Sequence, residues 1–464
     1  MRMGSLASNM TSRPARFRQL RRALALAICA VGGCCGLWPL ANSSAVEPPP
    51  EIARRQLEAR VARQEIIGTP TPENPLSVVD LEQMALTSNP SLARAQARVA
   101  AAQGNWVQVG LMPNPTVGYS GQQLGSDGRA EQQGVMTSQE IVRGGKLRLN
   151  REVAAQEIAK AQQELAVQQQ RVVTDVRLTF YDILVAKAQL DVALDLERIA
   201  DEGINAAEAL LRAKEVSRAD LLQAQLEREN AQIITQNSRN RFNAAWQGLA
   251  AVVGRSHMEP VPVTGDLEAP RGEFSWDGTL QQLLGRSPRI SVAVAEIERS
   301  RWALQRARVE PRPNVTVDGL VNVIDNGING DPDGALLVTL PLPVWNKNQG
   351  RIAQASAEVI AAERGLEQLE LQLQRQLAPV YERYANARYQ VDRYRTKILP
   401  VARESLELTR KSYQAGETNY VSLLTVQRTN SQTNLNYIQS LRELRMAGMR
   451  YRAWPTASAA RRPL

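Results

Sequence analysis

The sequence predicts a mainly α-helical fold that also carries membrane β-strands and is built from two similar halves. Three observations predict it: motifs that recur in pairs, a long stretch without proline, and short segments in which apolar and polar residues alternate. Hydrophobic residues make up 43% of the 464 residues and aromatic residues only 5%. Many aliphatic and few aromatic side chains favour long packed helices over compact α/β layers.

An internal duplication sets the domain organisation. The matching motifs, in chain order, are Asn89-Pro90 with Ser287-Pro288, Pro113–Val117 with Pro311–Val315, and Ala213–Glu215 with Ala415–Glu417. The members of each pair are separated by a nearly constant offset of about 200 positions, as expected for a repeated structural unit. We therefore expect a first repeat over residues 76–265, a second repeat over 266–450 and a C-terminal tail over 451–464.

Each repeat is predicted to run helix, strand, loop, strand, long helix, turn and returning helix. In the first repeat we expect strands over 115–124 and 132–141, a long helix over 146–212 and a helical tip over 213–222. In the second we expect strands over 313–323 and 335–342, a long helix over 350–414 and a tip over 415–424. No proline interrupts 146–212, which would span about 100 Å as one helix. Pro379 and Pro400 predict a kink or break in the second long helix.

The strands favour a membrane wall that several copies complete together. Val315, Val317 and Val321 fall on one face of a predicted strand, and Thr316 and Asp318 fall on the other. Such alternation suits a tilted barrel with an aqueous lumen, although a half-buried soluble sheet gives the same pattern. Four strands cannot close a barrel, and a membrane tolerates no unpaired strand edge. Three copies would supply twelve strands.

The long helices allow two interpretations. Ala and Gln dominate residues 154–170, as in a packed helical wall around an aqueous space, and a solvated coiled coil is equally compatible with this composition. We find no later stretch of about 20 apolar residues that would span a membrane as a helix.

The first 45 residues are interpreted as an export signal. Six arginines precede Glu47, the first acidic residue, and an apolar segment runs from Ala23 to Leu40. Cleavage near Ser43-Ser44-Ala45 is one reading, and a lipoprotein signal ending before Cys34, with lipidation of that cysteine, is the alternative. Residues 46–75 are expected to form an extended leader. Without the six arginines the formal charge of +9 falls to about +3, which argues against nucleic-acid binding.

Catalytic and cofactor chemistry is not indicated. All three cysteines lie in the export signal, so the mature chain lacks a disulfide and a cysteine nucleophile. The single histidine, His257, has no second ligand nearby in sequence and is interpreted as a loop residue rather than a metal ligand. No phosphate loop, dinucleotide fingerprint or nucleophile elbow occurs. We therefore predict no enzyme activity, no cofactor and no metal site.

Taken together, these features resemble the TolC family of outer-membrane efflux channels over Leu76 to about Arg450. The duplicated plan is the strongest signal. Local signals are "LEQMALTSNP" at Leu81–Pro90, Gln139-Glu140-Ile141 followed by Gly144-Gly145-Lys146, and Tyr413–Glu417. The last of these is most similar to the CzcC-like branch, which serves heavy-metal exporters.

The resemblance implies a fold and a set of partners. It implies a homotrimer in the cell outer membrane, with a twelve-stranded β-barrel standing on a long α-helical barrel in the periplasm. It implies a passive exit duct that works with a periplasmic adaptor and an inner-membrane pump, for which we expect the resistance-nodulation-division class. No transport substrate is identified by the sequence, and heavy-metal cations are one option.

The resemblance also implies tip residues. Asp220 falls where the prototype has an aspartate that helps to hold the closed state. Thr418 replaces a gating arginine, and Ser422 and Thr425 replace rings of aspartate. The gate therefore departs from the prototype's acidic ring. The residues expected to contact the adaptor are Ala213, Glu215, Leu222, Ala415, Gly416, Glu417 and Leu424.

Two other classes of protein remain open at this point. A periplasmic adaptor also has a long helical hairpin, but it would carry one hairpin between two β-rich halves rather than two complete repeats. A structural coiled-coil protein of an envelope complex would not need the alternating strand pairs.

Overall fold

The computed structural model describes residues 75–124, 131–255, 258–269, 272–325, 331–415 and 417–453. The predicted export signal with Cys34, residues 46–74 of the leader, His257 and Gly416 lie outside the described residues. The elements of the first repeat are α1 (Val78–Ser88), α2 (Pro90–Gln108), β1 (Thr116–Gln122), β2 (Gln132–Ile141), α3 (Lys146–Arg212) and α4 (Arg218–Val253). Those of the second are α5 (Trp276–Arg286), α6 (Pro288–Val309), β3 (Val315–Asp325), β4 (Asp333–Thr339), α7 (Gln349–Arg393), α8 (Leu399–Gln414) and α9 (Tyr420–Ala453).

Both repeats turn from strand to long helix through a left-handed backbone. Gly144 and Gly145 have φ of 73° and 69°, and Asn348 has φ of 61° at the equivalent place before α7. Glycine and asparagine tolerate this conformation best. Space is also restricted at the first junction, because a Cβ on Gly144 would lie 2.8 Å from Val309 Cγ1. The same sharp junction therefore starts both long helices.

The four strands form one antiparallel sheet in the order β1-β2-β3-β4. Its central pair, β2 with β3, joins the two repeats, and β1 and β4 form its edges. The register places Tyr119 beside Val135, and Val135 beside Val321, on one face of the sheet. That face is mainly apolar; its other apolar members include Val117, Val317, Leu336 and Val338. Val117 and Leu336 are 74% exposed in the single chain.

Three strands, β1, β3 and β4, have bounds that differ from the expected ones. β1 ends at Gln122, because Gln123 adopts a φ of 52° that leaves the extended region. β3 begins at Val315, after Asn314, whose side-chain oxygen accepts a hydrogen bond from the backbone N–H of Arg143. β4 spans Asp333–Thr339 and stops before Pro341, which cannot donate to a ladder.

The two prolines of the second long helix lie in different local structures. Pro379 lies inside α7 without ending it, so of the kink or break expected there, the break does not occur. Leu377 beside it is fully buried against Leu283 and Leu373, and this packing holds the helix through the missing hydrogen bond. A π-helical turn, Tyr394–Ile398, does interrupt the helix just before Pro400. A π-turn accommodates an irregularity in the backbone hydrogen bonds at a small local cost.

The main apolar core lies where α1, α3 and α4 meet. Phe180 and Ile183 of α3 pack with Leu81 of α1 and with Trp246 and Leu249 of α4. Trp246 also donates a 2.8 Å hydrogen bond to the carbonyl of Met258 in the segment that leaves α4. None of the helices in the described part of the chain combines the length and apolar character needed to cross a membrane.

The segment that connects the two repeats is fixed to α9. Arg445, which is 4% exposed, donates hydrogen bonds of 2.7 Å to the carbonyls of Leu267 and Ala269. The Tyr437 hydroxyl donates to Glu268 at 2.8 Å, and burial together with this carboxylate raises the pKa of Tyr437 to about 12. These contacts hold α9, the last helix of the second repeat, against the segment that leads from α4 to α5.

Candidate periplasmic tip and gate

The first helical hairpin ends in a turn with a defined hydrogen-bond pattern. The N–H of Glu215 donates to the carbonyl of Leu210, and the N–H of Lys214 donates to that of Leu211. This is the Schellman pattern, and it places Lys214 in the left-handed region with a φ of 61°. Ala213 is the last residue before this position and is exposed. The motif that recurs between the repeats therefore encodes the shape of a turn.

The second hairpin ends in a turn of the same kind. The N–H of Glu417 donates to the carbonyl of Ser412 at 2.9 Å, which corresponds to the bond of Glu215 in the first turn. Ala415 and Glu417 are exposed. Gly416, which corresponds to Lys214, lies outside the described residues. Glutamate side chains thus project from both turns.

Asp220 has a local role in the structure. Its carboxylate accepts hydrogen bonds of 2.9 and 2.7 Å from the backbone N–H and the hydroxyl of Ser217, and its own N–H donates to that hydroxyl. This capping box satisfies N–H groups at the start of α4. The hydrogen bond from the Ser217 hydroxyl, followed by that from its backbone, lowers the pKa of Asp220. The same capping box opens α1 with Ser77 and Asp80.

The other three gate candidates lie at the start of α9. Asn419 accepts a 2.9 Å hydrogen bond from the N–H of Ser422, so it closes the first turn of this helix. The hydroxyl of Thr425 donates to the carbonyl of Val421 in the same helix. The hydroxyl oxygen of Thr418 is buried and has no hydrogen-bond partner among the described residues. Ser422 and Thr425 are exposed and share a helix face, being separated by nearly one turn.

The adaptor-contact candidates do not share one environment. Ala213, Glu215, Ala415 and Glu417 lie exposed in the two turns. Leu222 is exposed on α4, whereas Leu424 is buried. Leu424 and Tyr420 line a cavity of about 300 Å³ between α9 and the first hairpin. The side chain of Leu424 is therefore turned inward, between the hairpins.

Sequence reasoning missed an ion pair that connects the two hairpins. Arg428 of α9 donates to Glu227 of α4 through two nitrogens, its Nε at 3.1 Å from Glu227 Oε2. The Glu227 side chain is 11% exposed and that of Arg428 is 55% exposed. The two residues lie 201 positions apart, and no local pattern in the sequence indicates that their opposite charges meet.

Two tyrosines pack together inside the second hairpin, and Tyr420 also lies against α3 of the first. Tyr413 and Tyr420 stand with ring centroids 6.1 Å apart, at the end of α8 and the start of α9. Burial, followed by the charge of Asp220, raises the pKa of Tyr413. A Cβ on Gly203 of α3 would lie 2.7 Å from the Tyr420 hydroxyl, so glycine leaves room for this ring. Burial, followed by Tyr413, raises the pKa of Tyr420.

No ligand set for a metal is found in the described ranges. Within them, no three His, Cys, Asp or Glu side chains lie together in an arrangement that could hold a metal ion. What the described tip presents instead is a set of helix caps, turn glutamates and one ion pair between hairpins.

Comparison with known proteins gives a family and a curated relative. The family model described as outer membrane efflux protein matches residues 81–255 and 279–448. The cobalt-zinc-cadmium resistance protein CzcC of Cupriavidus metallidurans (strain ATCC 43123 / DSM 2839 / NBRC 102507 / CH34) is 26% identical over 373 residues. The alignment covers 78% of this chain and 86% of that protein. These findings confirm the predicted resemblance to the TolC family and its CzcC-like branch.

Solved structures show the same fold. A membrane protein from Pseudomonas aeruginosa superposes with a TM-score of 0.69 at 18% identity, covering 81% of this chain and 92% of that one. The CusC channel superposes with a TM-score of 0.67, also at 18% identity, covering 81% and 91%. The predicted fold class, a TolC-like duplicated plan, is thereby confirmed.

The two matched ranges correspond to the two repeats and cover most of the chain. The members of the family are channels rather than enzymes, reside in the outer membrane with a helical tunnel in the periplasm, and act as trimers with an adaptor and a pump. On this evidence the chain belongs to the outer membrane efflux protein family.

Proposed function

We propose that this chain is the passive exit duct of a tripartite efflux system for heavy-metal cations and catalyses no reaction. A homotrimer would work with a periplasmic adaptor and an inner-membrane pump of the resistance-nodulation-division class. The arrangement that carries the proposal is a four-stranded sheet from which a 67-residue helix, about 100 Å long, runs to the tip of the first hairpin. The name of the relative CzcC, a cobalt-zinc-cadmium resistance protein, motivates the choice of cargo.

The sheet supports a membrane wall shared between copies. Its apolar face carries Val117, Leu336 and Val338, which are exposed in the single chain, and its other face carries Thr116 and Asp318. An apolar face of this kind suits contact with lipid, and the polar face suits an aqueous lumen. Since β1 and β4 are edges of the four-stranded sheet, three copies would close a twelve-stranded barrel.

The tip supports a gate without an acidic ring. We assign the gate to Asp220, Thr418, Ser422 and Thr425. Adaptor contact is assigned to the turns, with Ala213, Glu215, Ala415, Gly416 and Glu417, and to the leucines Leu222 and Leu424. Exposure of both turn glutamates favours this assignment. Lipidation of Cys34 stays a proposal that mass spectrometry of the mature protein would test.

Complementation tests the duct and its cargo. The chain is expressed in a cell that lacks its own exit duct and carries the matching adaptor and pump, and cellular zinc, cobalt and cadmium are measured. We expect a heat-modifiable trimer in the outer-membrane fraction and a several-fold fall in at least one metal. A trimer that leaves all three metals unchanged would contradict the cargo, and a soluble periplasmic monomer would contradict the duct and favour an adaptor.

A matched pair of variants tests the membrane wall. Leu336→Asp places a charge on the apolar face of β4, where contact with lipid is unfavourable, at a cost below the ~2–4 kcal/mol of Arg or Lys at the bilayer midplane. Leu337→Asp places the same charge on the opposite face of the same strand. We expect the first variant to lower the outer-membrane trimer several-fold and the second to leave it unchanged. Equal loss in both variants would contradict the assignment of the faces.

A further inference from the structure

The apolar face of the sheet continues past the end of β4. Val338 lies on this face, and Leu340 and Leu342 follow it at the same alternate positions. A proline comes directly after each of these two leucines and restricts the leucine's backbone to the extended region, so the alternation carries on beyond the last strand residue. Leu340 is 42% exposed and Leu342 is 74% exposed.

The chain then turns and presents an exposed tryptophan. The N–H of Val344 donates to the carbonyl of Leu342 at 2.9 Å, and the proline between them gives an inverse γ-turn. Trp345, the next residue, is 88% exposed. Apolar residues that end in an exposed tryptophan are typical of the boundary between lipid and water. We call residues 340–345 the interface segment.

Three cations lie beside the interface segment. They are Arg308 at the end of α6, Lys347 just before α7 and Arg351 in the first turn of α7. The side chain of Asn348 donates a 2.8 Å hydrogen bond to the carbonyl of Ala307, which holds the start of α7 against the end of α6. The three cations therefore lie at the same end of this helix pair. We call them the basic cluster.

The basic cluster has no structural partner in the part of the chain that the structure describes. All three side chains are exposed, and within that part none of them forms a hydrogen bond or an ion pair. The carboxylate of Glu310, two residues after Arg308, is bound by Arg306 instead. Arg351 does not stabilise the start of α7, because a positive charge there opposes the helix dipole. The positive charge of the cluster is therefore available to an external anion.

We propose that the interface segment and the basic cluster together bind an acidic phospholipid at the periplasmic face of the outer membrane. The acyl chains would lie against Leu340 and Leu342, and the headgroup phosphate would lie among the three cations. This inference rests on the membrane wall proposed above and names the class of lipid that its border selects. A lipid fits better than a soluble anion, because the cations directly follow an apolar surface that continues the apolar face of the sheet.

Native mass spectrometry of the complete, detergent-extracted protein tests the site. The protein is titrated with phosphatidylglycerol, which is anionic, and with phosphatidylcholine, which has no net charge, both with the same acyl chains. Each cation near an anionic headgroup should raise the affinity roughly five-fold, so we expect at least ten-fold tighter binding of phosphatidylglycerol. Arg308→Gln, Lys347→Gln and Arg351→Gln, introduced together, should remove most of this preference.

Two further variants separate the charge of the site from its apolar surface. Arg218→Gln, Arg239→Gln and Arg410→Gln together remove three exposed cations from the hairpins and should leave the preference unchanged. Trp345→Ala removes apolar contact without changing the charge. It should weaken the binding of both lipids several-fold and by a similar factor, so that the ratio of the two affinities stays the same.

The outcomes separate the lipid site from the duct. Equal affinity of a wild-type trimer for both lipids would overturn the site and leave the proposed duct intact. The same conclusion would follow if the hairpin control lost the preference as fully as the variant of the basic cluster. Loss of the trimer in Trp345→Ala would assign the interface segment to contact between copies and would also overturn the site. A wild-type protein that is a soluble monomer would overturn both the site and the membrane wall.

Discussion

At the scale of single residues, Lys214 occupies a backbone conformation that favours glycine. Its φ of 61° closes the first turn, and the corresponding residue of the second turn is Gly416. A side chain in the left-handed region costs about 1 kcal/mol. We therefore expect Lys214→Gly to slow amide exchange at Glu215 roughly five-fold in hydrogen-exchange mass spectrometry. Lys214→Ala keeps the Cβ and should not slow exchange; equal slowing in both variants would rule out the conformational explanation.

Asp220 caps the start of α4 and is also proposed to hold the gate closed, and two variants separate these roles. Asp220→Ala removes the carboxylate and the cap together, whereas Ser217→Ala removes only the cap's hydroxyl. We expect Asp220→Ala to raise conductance in planar bilayers and Ser217→Ala to leave it near that of the wild type. If both variants raise conductance equally, Asp220 acts only through the start of α4, and if neither does, the latching role is contradicted.

The pH dependence of this cap follows from the same hydrogen bonds. In the folded chain they hold the pKa of Asp220 below its ordinary value of 3.8. The carboxylate's contribution to the start of α4 is therefore complete above about pH 5 and is lost only as the pH falls through the lowered value. Amide exchange in the first turn of α4, corrected for the intrinsic rate, should stay constant from neutral pH down to about pH 5.

At the scale of elements, Arg445 fixes the segment between the repeats to α9. Arg445→Met would leave the carbonyls of Leu267 and Ala269 without these hydrogen-bond donors. Each carbonyl that water cannot reach would then lower the stability of the folded segment by about 1–3 kcal/mol. We expect protease cleavage within 258–269 to become at least ten-fold faster. Arg388→Met removes an exposed partner of Glu273 and should change this rate little, since such pairs contribute about 0–1 kcal/mol. Unchanged cleavage of Arg445→Met would contradict the clamp.

The helices and turns show which features of the fold could be predicted from the sequence. The absence of proline over 146–212 indicated one long helix, and the recurring Ala-x-Glu motif marked both turns, because these signals act over a few residues. At Pro379 the sequence left a kink and a break open, since burial of Leu377 decides whether the helix continues and no local pattern reveals that contact. The pair of Glu227 with Arg428 was likewise invisible, because the two residues lie 201 positions apart.

At the scale of the whole molecule, the ion pair between Glu227 and Arg428 couples the two hairpins. Arg428→Glu would set two carboxylates against each other between α4 and α9. We expect this variant to raise the open probability of the channel several-fold in planar bilayers, and the exchanged pair Glu227→Arg with Arg428→Glu to restore it.

A control within one hairpin separates this coupling from general loss of charge. Arg228 pairs with Asp201 at 2.8 Å and joins α3 to α4. Arg228→Glu should leave the open probability unchanged, because it disturbs the first hairpin alone. An equal increase in Arg228→Glu, or no rescue by the exchanged pair, would refute the coupling.

The two long helical segments, α3 in the first repeat and α7 with α8 in the second, differ in continuity, and this difference has a mechanical consequence. α3 runs unbroken over 67 residues, whereas its counterpart is divided by the π-turn at Tyr394–Ile398. Under an axial force applied at the turns, bending concentrates where the backbone hydrogen bonds are weakest. We therefore expect the second repeat to bend first at the π-turn, and α3 to transmit the force along its whole length toward the sheet.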